Sequence, residues 1–226
     1  MTKPKIICHM VMSLDGRIDC SMVEKIETDD YYEALNSFAC DSTIEGRTTV
    51  QMHYANPEPF SESGKAVGRE CLYKAAEGGY QIFVDTRGTL TYPEASEENR
   101  LCLLGEQAKD SYLKYLEGIG CSYIVCGKDR IDFHRAVEIL AENFGVKKLA
   151  VVGGGRLNAA FLKAGLLDVI SVMISPGIDG REGEPALFNG LEKSEAPVKI
   201  KPIGCKMMRH GTLWIQYAPE SSSKNS

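Results

Sequence analysis

The chain has 226 residues, 43% hydrophobic and 25% charged, with a formal net charge of −5. That length is enough for a full single-domain core, and an acidic balance with no basic stripe excludes general nucleic-acid or anionic-membrane binding. No apolar run reaches the ~20 residues that cross a bilayer, and the N-terminal residues enter a strand with no signal-peptide cleavage pattern. Eight scattered cysteines with no C-x-x-C argue against structural zinc and for free thiols in a reducing cytoplasm.

Residues 6–12 are a continuous apolar run and read as a central strand, broken by the turn Ser13-Leu14-Asp15-Gly16-Arg17. Asp29 or Asp30 can cap a helix to about residue 39, with Tyr32, Leu35 and Phe38 on one face. Residues 42–45 form a short strand that runs into Gly46-Arg47-Thr48-Thr49, where a second helix begins. The Pro-containing stretch 55–68 is a loop, and 69–76 is read as helical. Strands are expected at 81–84, 101–104, 122–126 and 149–152, with helices at about 110–117 and 133–144. Asp132 caps the second of these helices, which presents Phe133, Val137, Leu140 and Phe144 to the core. After Gly153-Gly154-Gly155 a helix opens at Arg156 or Leu157 and closes at Gly165, and a β-branched strand covers 168–174. Residues 198–207 and 212–217 flank His210-Gly211 as an antiparallel hairpin, and 219–226 reads as a disordered tail. Strands alternating with helices predict an α/β chain: one domain over 1–218, three-layer αβα, with a mostly parallel sheet finished by the hairpin.

Two strand–glycine–helix corners carry the chemistry, one at Gly46 and one at Gly153-Gly154-Gly155. A helix N-terminus offers unpaired N–H groups and the positive end of the helix dipole, and glycine lets a ligand approach the backbone closely. Each corner alone is equally a tight connection and nothing more. Two of them, from separate strands of one sheet, suit a ligand with more than one phosphate, such as a dinucleotide. Arg47 or Arg156 could serve an extra phosphate. Asp15 is either a turn-capping carboxylate or a group close to the reacting centre. The four histidines show no ligand spacing; His9 reads as a satisfied core histidine, and His53, near the Gly46 helix, is the one to watch.

Four segments, MSLDGRI, DSTIEGRTTV, VDTRGTL and VVGGGRLNAAFLKAGLLDVISVMISPGIDG, stand in series over roughly residues 5–217. In that order they resemble the reductase domain of riboflavin biosynthesis, which shares the dihydrofolate reductase fold. The resemblance implies a mixed sheet flanked by helices, NADPH as hydride donor, a small-molecule substrate and a homodimer. Gly46, Arg47 and Thr49 then hold NADPH phosphates, with Arg47 on the 2′-phosphate side. Gly153, Gly154, Gly155, Arg156 and Leu157 take the pyrophosphate, while Asp85, Thr86 and Arg87 lie near the adenosine. Ser13, Leu14 and Asp15 fall where the first loop meets nicotinamide and substrate, which makes Asp15 the catalytic candidate. The substrate implied is 5-amino-6-(5-phosphoribosylamino)uracil, with a pterin, carbonyl or imine compound, or a non-catalytic nucleotide-binding role, as alternatives. Two positions depart from the pattern: Gly153 stands where such reductases carry a Glu that faces substrate, and His53 stands after the threonine helix where they carry Asp-Asp-Pro or Asp-Asn-Pro. Neither signature of the zinc deaminase domain that bifunctional relatives add is present.

Overall fold

A computed structural model describes residues 3–26, 29–94, 96–192 and 194–220. The chain divides into two compact units, one comprising 41–149 with the described residues before Lys5, the other 5–40 and 150–220. The strand β7, Lys148–Gly153, begins in the first and ends in the second.

In the first unit the strands β2 (Ser42–Gly46), β3 (Cys71–Tyr73), β4 (Gln81–Val84), β5 (Arg100–Leu104) and β6 (Ser122–Val125) lie in the order β3-β6-β5-β4-β2. β2, β4, β5 and β6 run parallel, and β3 is antiparallel to β6. The helices α3 (Arg47–His53), α4 (Asp110–Gly118) and α5 (Phe133–Glu142) belong to this unit. β5 and β6 are buried along their whole length, which is why they read as unbroken apolar runs rather than alternating ones. Asp132 caps α5 as expected, its side chain accepting the Arg135 N–H at 3.1 Å. The buried face of α5 is Ala136, Val137, Ile139 and Leu140, with Phe144 buried just beyond. The expectation of a helix over 69–76 is overturned. Cys71, Leu72 and Tyr73 pair with Val125, Ile124 and Tyr123, so a sheet partner about fifty residues later overrides local helix propensity.

In the second unit the order is β7-β1-β8-β10-β9, with β1 at Lys5–Met12, β8 at Val169–Ile174, β9 at Ile200–Met207 and β10 at Leu213–Pro219. β1 and β8 are parallel, and β8-β10-β9 is antiparallel, which bears out the terminal hairpin. β10 continues to Pro219 and the Glu220 N–H bonds the Lys199 carbonyl, two residues into the expected tail. The rest of that tail, 221–226, lies outside the described residues.

The helices of this unit are α1 (Cys20–Ile26), which sequence reading missed, α2 (Asp30–Ser37) and α6 (Gly155–Lys163). Neither aspartate before α2 acts as expected: Asp29 has helical backbone and makes no side-chain cap bond, and Asp30 is itself the first helical residue. The predicted face is also displaced. Tyr32 is 64% exposed, and the helix buries Asp30 and Ala34 instead.

A neutral relay pins α2 to the sheet. An indole N–H can only donate, so Ser171 Oγ accepts from Trp214 Nε1 at 2.7 Å and turns its own proton to His9 Nδ1 at 2.9 Å. His9 therefore carries its proton on Nε2 and donates it to the Tyr31 carbonyl at 3.2 Å. Its ring also stacks on Tyr31 at 4.6 Å. Burial pushes its pKa down to about 4, against the smaller pull of that carbonyl. His9 is the satisfied core histidine that its apolar strand suggested. All eight cysteines are free, no group of described residues could hold a metal ion, and no helix among them is long and apolar enough to cross a membrane.

Candidate active site

The Gly46 corner lies in the first unit. Gly46 is the N-cap of α3 in extended conformation, with no side-chain cap bond, so the first amides of the helix have no partner within it. Arg47 is exposed beside the corner, its Nε 3.3 Å from Thr89 Oγ1 and 3.8 Å from Asp85 Oδ1. Thr49 is half-buried one turn in.

Asp85 is fully buried at the end of β4. Its Oδ2 accepts the Thr89 and Leu90 N–H groups at 2.6 and 2.7 Å and lies 3.3 Å from the Tyr112 hydroxyl. Its Oδ1 accepts the Thr89 hydroxyl at 3.2 Å. Those oxygens are spent on the turn, so Asp85 shapes the surface that Thr86 and Arg87 present rather than facing a ligand itself. Gly88, at φ 66°, is required there: a Cβ would meet the Tyr112 ring at 2.4 Å.

Sequence reasoning passed over Glu45. It immediately precedes Gly46, is only 5% exposed, and bonds the Tyr54 hydroxyl. Burial raises its pKa to about 7, against the smaller lowering effect of Tyr54. The one sequence signal was a carboxylate directly before the glycine of the corner, next to the apolar Ile44.

The triple-glycine corner lies in the second unit. Gly154 is the N-cap of α6 at φ 79°, a left-handed conformation suited to glycine, and no side chain caps the helix. The Leu157 and Asn158 N–H groups close on the Gly154 carbonyl, and Arg156 is exposed on the first turn. Leu157 is 6% exposed and faces the core. Gly155 is dictated by the chain itself: a Cβ there would lie 2.3 Å from the Ala186 carbonyl oxygen.

The turn after β1 is held from two sides. Ser13 Oγ donates to Asp15 Oδ1 at 2.6 Å and accepts the Arg17 N–H at 3.1 Å. The Asp15 carboxylate also accepts the Asp179 and Gly180 N–H groups at 3.0 and 2.9 Å. The Ser13 hydroxyl first, and then those amides, hold Asp15 well below the usual carboxylate range. With those bonds Asp15 clamps the β1 turn to residues 179–180, the turn-capping side of the two readings that its sequence allows.

One further segment, unnoticed in the sequence, joins the turn to the triple-glycine corner. Residues 184–189 receive Arg17 Nη1 on the Glu184 carbonyl at 2.9 Å and the Ile18 N–H on the Pro185 carbonyl at 3.0 Å. The same segment sends the Asn189 N–H to the Gly155 carbonyl at 3.0 Å and takes Asn158 Nδ2 on the Leu187 carbonyl at 2.8 Å. At the carboxyl ends of β1 and β8 a mostly apolar cavity of about 490 Å3 opens, lined by Leu14, Ile174, Ser175, Pro176, Ile178 and Leu213 among others.

Comparison with known proteins decides the family, because residues 4–213 match the RibD C-terminal domain. The chain belongs to the RibD C-terminal domain family. It is similar to the 2,5-diamino-6-ribosylamino-4(3H)-pyrimidinone 5′-phosphate reductase of Methanothermobacter thermautotrophicus, 36% identical over 199 residues, 83% of this chain and 85% of that protein. The protein of the same name from Aquifex aeolicus matches at 32% identity over 85 residues, 38% of each chain. Among solved structures, a pyrimidine reductase-like protein from Corynebacterium diphtheriae superposes with a TM-score of 0.73 at 17% identity, covering 96% of this chain and 92% of that one. The RibD fold expected from the four segments is thus borne out.

Proposed function

We propose that this RibD-family chain is an NADPH-dependent reductase that delivers hydride to a ribosylaminopyrimidine 5′-phosphate of riboflavin biosynthesis. The observation that carries the reading is segment 184–189, which braces the β1 turn and the uncapped triple-glycine corner at once. A reductase needs its substrate loop and its pyrophosphate loop held in fixed relation.

The residues fit the cofactor. Two helix starts with glycine N-caps and no side-chain cap leave backbone donors open to phosphates. Gly153, Gly154, Gly155 and Arg156 serve the pyrophosphate, and Leu157 anchors that turn in the core. Gly46, Arg47 and Thr49 serve the adenosine-side phosphates, with Arg47 choosing NADPH over NADH through the 2′-phosphate. Thr86 and Arg87 flank the adenosine on a turn set by Asp85. NADPH, when bound, supplies the hydride. Ser13 and Asp15 fix the loop that carries Leu14, and the apolar cavity beside Leu14 keeps water from the reacting ring.

We place 2,5-diamino-6-ribosylamino-4(3H)-pyrimidinone 5′-phosphate ahead of 5-amino-6-(5-phosphoribosylamino)uracil as substrate. The relative matched along 85% of its length carries the former name. The chain works in the cytoplasm, where its free thiols stay reduced. It works as a homodimer, because Ile203 and Met207 on the terminal strand β9 are 53% and 63% exposed. A second copy covers that apolar sheet face.

The deciding assay follows NADPH absorbance with each ribosylaminopyrimidine phosphate in turn. Oxidation of NADPH dependent on the diaminopyrimidinone is expected. Turnover only with a pterin or simple carbonyl compound would reassign the substrate, and NADPH binding without any turnover would make the chain a nucleotide-binding relative. Light scattering that returns the mass of one protomer would remove the dimer.

A further inference from the structure

We propose that Glu45 is a proton-coupled positioning residue for the Gly46 corner: its buried carboxyl, clasped to Tyr54 across α3, takes up a proton from solvent when a phosphate-bearing ligand seats there. The inference rests on the reading that this corner receives phosphates of NADPH.

The geometry is a closed loop of chain. Glu45 is the last side chain of β2 before the corner and lies opposite Phe83 of β4. Tyr54 follows α3, its N–H bonded to the Val50 carbonyl at 2.9 Å and its ring stacked on Phe83 at 5.2 Å. The Glu45–Tyr54 bond therefore ties the residue before the corner to the residue after the helix. Any shift of charge on Glu45 acts on both ends of the seven-residue α3.

Among the described residues no cation acts on that carboxyl. Burial and the Tyr54 hydroxyl are the causes that act on it. Of the charged and titratable groups on adjoining elements of the first unit, the Arg47 guanidinium turns to Asp85 and Thr89, and Asp85 is spent on its own turn. His53 is exposed and its ring packs edge-on to Tyr54 at 6.1 Å. Lys148 opens β7 beside Asp41, at the other end of β2, its carbonyl accepting the Asp41 N–H at 3.1 Å. A buried carboxylate with one neutral donor is poorly compensated. That is why its pKa sits at about 7, where both protonation states are populated at neutral pH.

A phosphate brought to the Gly46 and Arg47 amides adds negative charge within two residues of this group. A like charge favours the protonated acid, so ligand binding raises proton occupancy. Linkage makes the converse true: affinity falls as pH rises through neutrality and Glu45 ionises. The Tyr54 hydroxyl can donate to the carboxyl in either state, so the clasp persists and charge alone changes.

The test is calorimetric titration of NADPH into the intact protein and into Glu45→Gln at pH 7, in two buffers of different ionisation enthalpy. The 2′-phosphate titrates identically in both proteins and drops out of the comparison. The wild type is expected to take up roughly a third to a half of a proton more than Glu45→Gln, the most that a half-ionised group can supply. Its dissociation constant should also rise several-fold more between pH 6 and 8. Tyr54→Phe, which loses the donor to the carboxylate, should move the midpoint to higher pH. Equal proton counts in wild type and Glu45→Gln overturn the inference and leave the dinucleotide reading standing. No heat of binding with either protein removes that reading and this inference together. If Glu45→Gln does not fold, carbon-13 NMR titration of the wild-type Glu45 carboxyl decides. A midpoint near 7 that rises with NADPH supports the inference, and one near that of a free glutamate overturns it.

Discussion

The two glycine corners share a local sequence logic and differ in what holds them. At Gly46 the supports are buried acids. Asp85 gathers two backbone amides and two hydroxyls, and Glu45 is tied to Tyr54. At Gly153-Gly154-Gly155 the support is neutral backbone, with the Ala186 carbonyl against Gly155 and the Asn189 N–H on its carbonyl. The second unit also has an uncharged buried network, the Trp214–Ser171–His9 relay, beside its buried acid Asp30. A corner built on acids responds to pH and charge. One built on close backbone approach responds to volume.

The largest break in that comparison is expected at Asp85→Ala. It strands the Thr89 and Leu90 amides, and buried unsatisfied donors at roughly 1–3 kcal/mol each predict about 4 kcal/mol lost in urea unfolding. A loss below about 1 kcal/mol would mean that water satisfies the turn.

Next comes the pH dependence of stability, where Glu45 and His9 act with opposite sign. His9 titrates at about 4 folded against 6.5 unfolded, so its contribution is complete above pH 6.5 and is lost as pH falls towards 4. Glu45 titrates at about 7 folded against 4.5 unfolded, so its contribution is complete below pH 4.5 and is lost as pH rises towards 7. Each amounts to roughly 3 kcal/mol, and between pH 4 and 7 they offset one another. Relative to wild type, Glu45→Gln should make stability climb with pH across that range, and His9→Asn should make it fall. Parallel curves for all three proteins would show that neither group is buried in solution as it is here.

Gly155→Ala sharpens the volume side. Its Cβ forces the Ala186 carbonyl to move, costing about 2 kcal/mol. NADPH affinity should drop at least tenfold while the pH profile stays that of wild type. The smallest effect belongs to Asp15→Asn, which keeps an acceptor for one of the Asp179 and Gly180 amides and loses the charge and the acceptor for the other. KM for the pyrimidine substrate should rise about threefold with kcat unchanged, as for a clamp. A fall in kcat of a hundredfold would restore Asp15 as a catalytic residue.

Much of the fold was legible in the sequence because its signals are local. Unbroken apolar runs mark strands buried on both faces, and β5 and β6 are such strands. Asp132, one residue before Phe133, caps α5 as its position suggests, and Gly154 takes the positive φ that a glycine corner invites. The sequence by itself also determined the family, since its four segments stand in the order that the RibD C-terminal domain match over 4–213 bears out. Only the tertiary structure decided that Cys71–Tyr73 is a strand, because its partner β6 lies about fifty residues on. It alone decided that Asp15 clamps a loop, because the Asp179 and Gly180 amides come from beyond β8. Glu45 is an ordinary carboxylate on paper and a group poised near pH 7 only once packing removes its water. A side chain's type is written in the chain, whereas its solvation and its partners come from residues far along it, and those two set its charge.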